Sequence, residues 1–222
     1  MCVLTYIPTG NDNYLLTNNR DESPTRPSAL SPAQYLINEQ AITFPKDPLG
    51  GGTWIAHNNE KSVVLLNGGH TIHTHKPPYR QSRGLVVLDF FQFETPIEFY
   101  EKFEFEGIEP FTLVTTGKTI SEIRWDEDGK TFKEFDSSQP KIWSSVTLYT
   151  PAIIQKREDW FLEFLNQNPF PTKETALDFH KNGGDGDDSN SLKMNRGEVV
   201  KTLGISQIIS HNGNKEMTYL PV

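Results

Sequence analysis

Residues 111–135 read FTLVTTGKTISEIRWDEDGKTFKEF, and the way this stretch divides decides the fold class. Three short β-type runs, 111–115, 119–125 and 131–135, follow one another, with Asp128-Gly129 as a hairpin signal between the last two. Beyond them the clearest helix runs over 151–166. Ile153, Trp160 and Phe164 lie along one stripe with Ile154, Phe161 and Leu165 beside it, at the three- and four-residue spacings of a buried face. A second helix is predicted over 172–181, with Thr172 and Glu174 at its start. Strands at 205–210 and 217–220, joined by Asn212-Gly213, close the chain. Upstream, Ser82 caps a short helix carrying Leu85, Val86, Leu88, Asp89 and Phe90, and Thr95-Pro96 opens another through Phe103. Before these come strand candidates at 2–7, 14–18, 41–44, 53–57 and 61–66, with a loop punctuated by Pro24, Pro27 and Pro32. Asn58-Asn59-Glu60 makes a tight turn between the last two. Strands, two helices, strands, two helices, strands is not βαβ alternation. It predicts an α+β fold of antiparallel sheets with helices on their outer faces.

The 222 residues suit one domain over 1–222, and no repeat or composition break divides them. Aliphatics are sparse, but 14 Phe, 7 Tyr and 4 Trp can fill a core. A net charge of -8 repels phosphate backbones and anionic lipid, so nucleic-acid and membrane-surface binding are poor hypotheses. A single cysteine excludes an intramolecular disulfide, a CxxC redox motif and a multi-cysteine zinc site. The start Met1-Cys2-Val3-Leu4-Thr5-Tyr6-Ile7-Pro8 has neither a basic beginning nor a long apolar stretch, and no run approaches a membrane span. The expectation is a cytoplasmic protein without membrane insertion.

The one cysteine stands at position 2. A side chain this small permits removal of Met1, after which one residue carries both a thiol and a free α-amine. Their ordinary pKa values, about 8.5 and about 7.7–8.0, let the amine take the thiol proton near neutral pH. Such a group attacks a carbonyl and forms an acyl-enzyme. The alternative is a buried thiol in the first strand acting as a small hydrophobe. Alternation does not choose between them: Cys2, Leu4 and Tyr6 share one face, Val3, Thr5 and Ile7 the other.

Asn19-Arg20-Asp21-Glu22 after a Met-Cys start resembles the signature of the NRDE family, the transport and Golgi organisation protein 2-like proteins. Gly51-Gly52-Thr53-Trp54, Leu65-Leu66-Asn67 and Ser82-Arg83-Gly84-Leu85-Val86 leading into Asp89-Phe90 resemble the same family in the same order. The ordered set covers the first 90 residues, and 144–149 with the helix after it extends the likeness. The resemblance implies a four-layer αββα sandwich of the N-terminal-nucleophile hydrolase type. It puts Cys2 where choloylglycine hydrolases and penicillin acylases carry their nucleophile. Members of the family have been linked to haem trafficking, to lipid and acyl-CoA metabolism and to secretory organisation.

On that resemblance the catalytic candidates are Cys2, Arg20, Asp21 and Asn67, and the substrate-binding candidates are Asn18, Gly68 and Arg196. Arg20 orients the thiolate or binds an anionic substrate, and Asp21 holds the α-amine. The choloylglycine pattern separates Arg and Asp by two residues. Adjacent residues on a strand face opposite sides, so Arg20 and Asp21 reach one site only if the strand ends or bulges. Asn18 stands three before Asp21, in the place of that Arg. The other reading of Arg20 and Asp21 is a salt bridge and a capped turn before Pro24. Asn67, ahead of Gly68-Gly69, suits an oxyanion donor beside backbone that a substrate can approach, or an ordinary turn. Arg196 is placed at the mouth of the site.

His70, His73 and His75 invite a metal or haem reading, but no acidic or thiol ligand sits among them and a solvated loop is the better one. The acidic run 185–191 begins like a calcium loop yet has Arg196 where the closing Glu belongs, so it is not an EF-hand. Two functions follow. One is a Cys2-dependent hydrolase of a small amide or related acyl substrate, without metal or cofactor. The other is a non-catalytic haem or acyl-lipid handling protein on the same fold.

Overall fold

The structure, a computed structural model, describes Val3–Val222, so Met1 and the candidate nucleophile Cys2 lie outside the described residues. In chain order, β1 (Val3–Gly10) and β2 (Asn13–Glu22) come first. β3 (Leu30–Ile37), β4 (Gln40–Lys46), β5 (Ile55–His57) and β6 (Ser62–Asn67) follow. Helices α1 (Arg83–Asp89) and α2 (Pro96–Lys102) precede β7 (Phe111–Thr116), β8 (Ile120–Asp126) and β9 (Gly129–Phe135). The chain ends with β10 (Lys141–Ser144), α3 (Pro151–Gln167), α4 (Lys173–Asn182), β11 (Lys201–His211) and β12 (Asn214–Pro221). Among the described residues the strands form two sheets of five and seven strands, antiparallel throughout. No helix among them is long and apolar enough to cross a membrane. The chain divides into two compact units, one running to Arg26 and resuming at Ser137–Val222, the other Pro27–Asp136.

In the first unit the strand order is β10-β1-β2-β11-β12. Period-2 alternation gives β1 and β2 an apolar face of Val3, Ile7 and Leu15, which packs with Ile142 against Phe161, Phe164, Ala176 and Phe179 of the two long helices. Thr150 caps α3, accepting from the Ile153 N–H, with Pro151 in its first turn. Thr172 and Thr175 cap α4 reciprocally. Asn212 and Gly213, both at positive φ, turn β11 into β12.

In the second unit the order is β3-β4-β5-β6-β7-β8-β9, and the stretch 111–135 supplies its last three strands. Leu113, Ile123 and Phe132 are cross-strand neighbours and share a face. The aromatic residues form the core there: Phe105 stacks on Phe111 at 5.9 Å and leans on Trp125 at 5.6 Å, while Phe90, Phe91 and Phe99 are fully buried.

Two elements differ from the sequence expectation. The proline-punctuated segment contains a strand, β3, at the sheet edge. Pro32 is tolerated because the pairing skips from Leu30 to Ala33 and an edge strand needs no second row of donors. β10 carries too few residues for an alternation signal.

The segments Gly51-Gly52-Thr53-Trp54 and Ser82-Arg83-Gly84-Leu85 meet backbone to backbone, Thr53 donating its N–H to the Gly84 carbonyl at 3.0 Å. A Cβ on Gly52 would lie 2.3 Å from the Gly84 carbonyl carbon. Gly52→Ala is therefore expected to cost about 2–3 kcal/mol in denaturant unfolding. Gly117→Ala, where the nearest atom is 3.4 Å away, serves as the control and should change little. Equal effects would contradict the contact.

Candidate active site

β2 lies between β1 and β11, and four consecutive polar residues on it, Asn18 to Asp21, are at most 2% exposed. Alternation sends Asn19 and Asp21 to the face that Leu15 shares with the helices, and Asn18 and Arg20 to the opposite face. The strand does not end there, for it runs on to Glu22. A bulge is present, but on the neighbouring strand: pairing passes from Asp21 with Thr202 to Arg20 with Gly204, which leaves Leu203 as the extra residue.

On the helix side, Asp21 accepts from Thr202 Oγ1 at 2.5 Å and, at 3.4 Å, from the Tyr149 hydroxyl. The Arg157 guanidinium lies 3.6 Å from the Tyr149 ring centre, and that of Arg196 lies 5.2 Å away. Arg196 is half-buried, its Nε donating to Ser189 O at 3.0 Å and its Nη2 to Leu148 O at 3.0 Å and Asn190 Oδ1 at 3.2 Å. Asp21 and Arg196, 175 residues apart, thus meet at one tyrosine. Arg157 is fully buried and donates to the carbonyls of Asn190 and Ser191.

Beside them, His180 of α4 is fully buried against strands β1 and β2. Its Nδ1 lies 2.6 Å from Asn19 Oδ1 and its Nε2 2.8 Å from Thr5 Oγ1. Burial, with Arg157 nearby, pushes its pKa down to about 3, so the ring is neutral. It then donates from Nδ1 to Asn19 and accepts at Nε2 from Thr5. Asn19 Nδ2 donates in turn to His180 O at 3.1 Å and Leu192 O at 2.7 Å.

On the other face, Asn18 donates from Nδ2 to the Val3 carbonyl at 2.8 Å. Its Oδ1 is buried and has no hydrogen-bond partner among the described residues. Arg20 hydrogen-bonds the Tyr219 hydroxyl; burial raises the pKa of that phenol and Arg20 opposes the rise. Gly204, cross-strand from Arg20, makes room for the Tyr219 ring, since a Cβ there would lie 2.3 Å from Tyr219 Cε2. The sequence reading missed Tyr149, Arg157, Thr202, His180 and Tyr219. Tyr149 stands in a segment that carried the family likeness. Arg157 occupies the predicted α3 stripe, midway between Ile153 and Phe161, as the one charged residue there.

Asn67 and Gly68 belong to the second unit. Asn67 ends β6 as the cross-strand neighbour of Phe111, half-buried. Gly68, at φ +88°, donates its N–H to Pro110 O at 2.9 Å and accepts at O from Thr112 Oγ1 at 2.8 Å. Gly69 packs on the Trp125 carbonyl, where a Cβ would lie 2.3 Å from the oxygen. The close backbone approach at these glycines is to the protein's own strands. An acidic partner for the histidines does exist, from far along the chain: His73 Nε2 and His75 Nδ1 lie 3.3 and 3.1 Å from Glu109 Oε1. Burial works to raise the Glu109 carboxyl, but Arg83 at 3.0 Å, together with His75 and His73, holds it below its usual range. No group of three or more His, Cys, Asp or Glu among the described residues is arranged to hold a metal ion.

The architecture has counterparts among solved structures. Penicillin V acylase from Agrobacterium tumefaciens matches with a TM-score of 0.59 and 8% identity, over 100% of this chain and 86% of that one. Mutant conjugated bile acid hydrolase from Clostridium perfringens matches with a TM-score of 0.52 and 11% identity, over 100% and 92%. A second variant of that hydrolase gives the same TM-score and identity over 99% and 92%. These likenesses show the fold, which is the α+β sandwich fold of the N-terminal-nucleophile hydrolases. The chain belongs to the Transport and Golgi organisation 2 family, whose profile matches residues 1–130. No curated protein matches the sequence.

Proposed function

We propose that the chain is a hydrolase of a small amide or related acyl substrate, acting through an acyl-enzyme on Cys2. The observation that carries this reading lies at the start of β1. Val3, which directly follows Cys2, is held by Asn18 Nδ2, while Asn18 Oδ1 is buried without a partner among the described residues. Such an acceptor costs about 1–3 kcal/mol unless an N–H donor reaches it. The α-amine of a processed Cys2 and the N–H of an amide substrate are donors of that kind. The fold's likeness to proteins named an acylase and a hydrolase supports the same reaction class.

In this mechanism the α-amine takes the Cys2 thiol proton, and the thiolate attacks the substrate carbonyl carbon. Collapse of the tetrahedral intermediate breaks the acyl bond, the leaving group takes the proton, and water then hydrolyses the thioester. Asp21 and Arg196, joined through Tyr149, tie strand β2 to the 189–196 loop.

The test is a panel of N-acyl amides and thioesters offered to the Met1-processed protein and to Cys2→Ala. Turnover lost in the variant supports the hydrolase. Turnover equal in both, or saturable haem or acyl-CoA binding without any turnover, replaces it with the carrier reading on the same fold.

A further inference from the structure

The second unit contains a half-open cavity of about 1110 Å³ that no step above uses. Phe90, Phe91, Pro96 and Ile97 give it an apolar wall, and Lys61 and Thr115 contribute polar atoms. Lys61 directly precedes β6 and continues the alternation of Val63, whose cross-strand partner is Thr115, so both residues take the face that meets the helices. The Lys61 stem packs against the β7–β8 turn, within 3.6 Å of the Cβ position of Gly117. Its Nζ lies 5.1 Å from the Phe90 ring centre and 5.9 Å from that of Phe91, and donates to the Phe93 carbonyl. Thr115 is 1% exposed, and its hydroxyl has no hydrogen-bond partner among the described residues.

We propose that this cavity is a second site, in which the Lys61 amine captures apolar aldehydes as an imine. The aldehyde body lies against Phe90 and Phe91, and the Thr115 hydroxyl donates to the carbonyl oxygen. The Nζ lone pair attacks the carbonyl carbon, the π electrons pass to oxygen, and a proton moves from nitrogen to oxygen. The carbinolamine then loses water to give the imine, with no oxidant or reductant needed.

An aldehyde fits better than an anion. Glu60, Glu94 and Glu134 stand among the cavity residues against only Lys61 and Lys118, and Glu98 also faces Lys61. Burial favours the neutral amine at Lys61, with Glu60, Glu98 and Glu94 opposing, so more of the nucleophile is present near neutral pH than on an exposed lysine.

The experiment treats the full chain with benzaldehyde and cyanoborohydride at neutral pH and maps benzylated lysines by peptide mass spectrometry. Lys61 is expected to label several-fold faster than the exposed Lys193, which lies outside the cavity, because burial favours its neutral amine and Phe90 and Phe91 hold the aldehyde. Its rate should saturate with aldehyde concentration while that of Lys193 stays linear. Thr115→Val, which removes an unpaired buried hydroxyl and keeps the shape, should leave the melting temperature unchanged or higher and slow Lys61 labelling alone. Labelling of Lys61 no faster than Lys193, or a rate unaffected by Thr115→Val, would overturn the proposal. None of these readouts involves Cys2, so the hydrolase reading stands or falls separately.

Discussion

Cys2→Ala is expected to lower kcat for amide hydrolysis by at least about 10⁴-fold, the scale on which loss of a nucleophile acts in enzymes whose catalytic groups work as a unit. The protein should stay folded, because the described core begins at Val3, which pairs with Asn19 and Ser144, accepts from Asn18 and packs in the helix-facing apolar cluster. A second variant separates nucleophile from base. Extending the chain by one residue before Cys2 leaves the thiol in place and converts the α-amine to an amide, which takes no proton. Activity should fall as far as in Cys2→Ala if one residue supplies both groups. Near-native kcat in the extended chain would move the base to another side chain.

The largest effect on stability is expected at the His180 cluster. Asn19→Ala removes the acceptor for His180 Nδ1 and the donor to two carbonyls, all buried, and should cost about 3–5 kcal/mol as unsatisfied groups add. The same cluster sets an acid dependence. The folded pKa of His180, about 3, lies below its ordinary 6.5, so the unfolded chain binds the extra proton. Stability from this residue is therefore full above about pH 6.5 and is lost as pH falls from there toward about 3, at about 1.4 kcal/mol per pH unit. Urea midpoints measured between pH 7 and pH 4 should fall along that slope. His180→Gln, which keeps hydrogen-bonding atoms and cannot titrate, should flatten it. An unchanged slope in that variant would assign the acid loss to other groups.

The fold was legible where the pattern was local. The strands at 111–135 carry their own turn signal, and α3 and α4 carry caps and an apolar stripe, so their ends fall within a residue or two of expectation. β3 was hidden because Pro32 reads as a breaker unless the strand is known to lie at an edge. At the site, Asn18, Arg20, Asp21 and Arg196 were named from a likeness, and their neighbours were not. Asp21 meets Thr202 and Tyr149 through pairings of distant segments, and nothing near Thr202 in sequence marks it. Gly68 and Gly69 show the reverse case, a signal read toward a substrate that the strands themselves account for. The histidine cluster lacked an acidic ligand only in sequence, for Glu109 reaches it across more than thirty residues.

The measurement that tests the central claim most directly is the intact mass of the protein made in its own cell type, before and after brief exposure to limiting iodoacetamide. The account predicts loss of Met1 and rapid addition of one carbamidomethyl group at Cys2, faster than for free cysteine at the same pH. A retained Met1, or a thiol no faster than free cysteine, would contradict an N-terminal nucleophile that carries its own base.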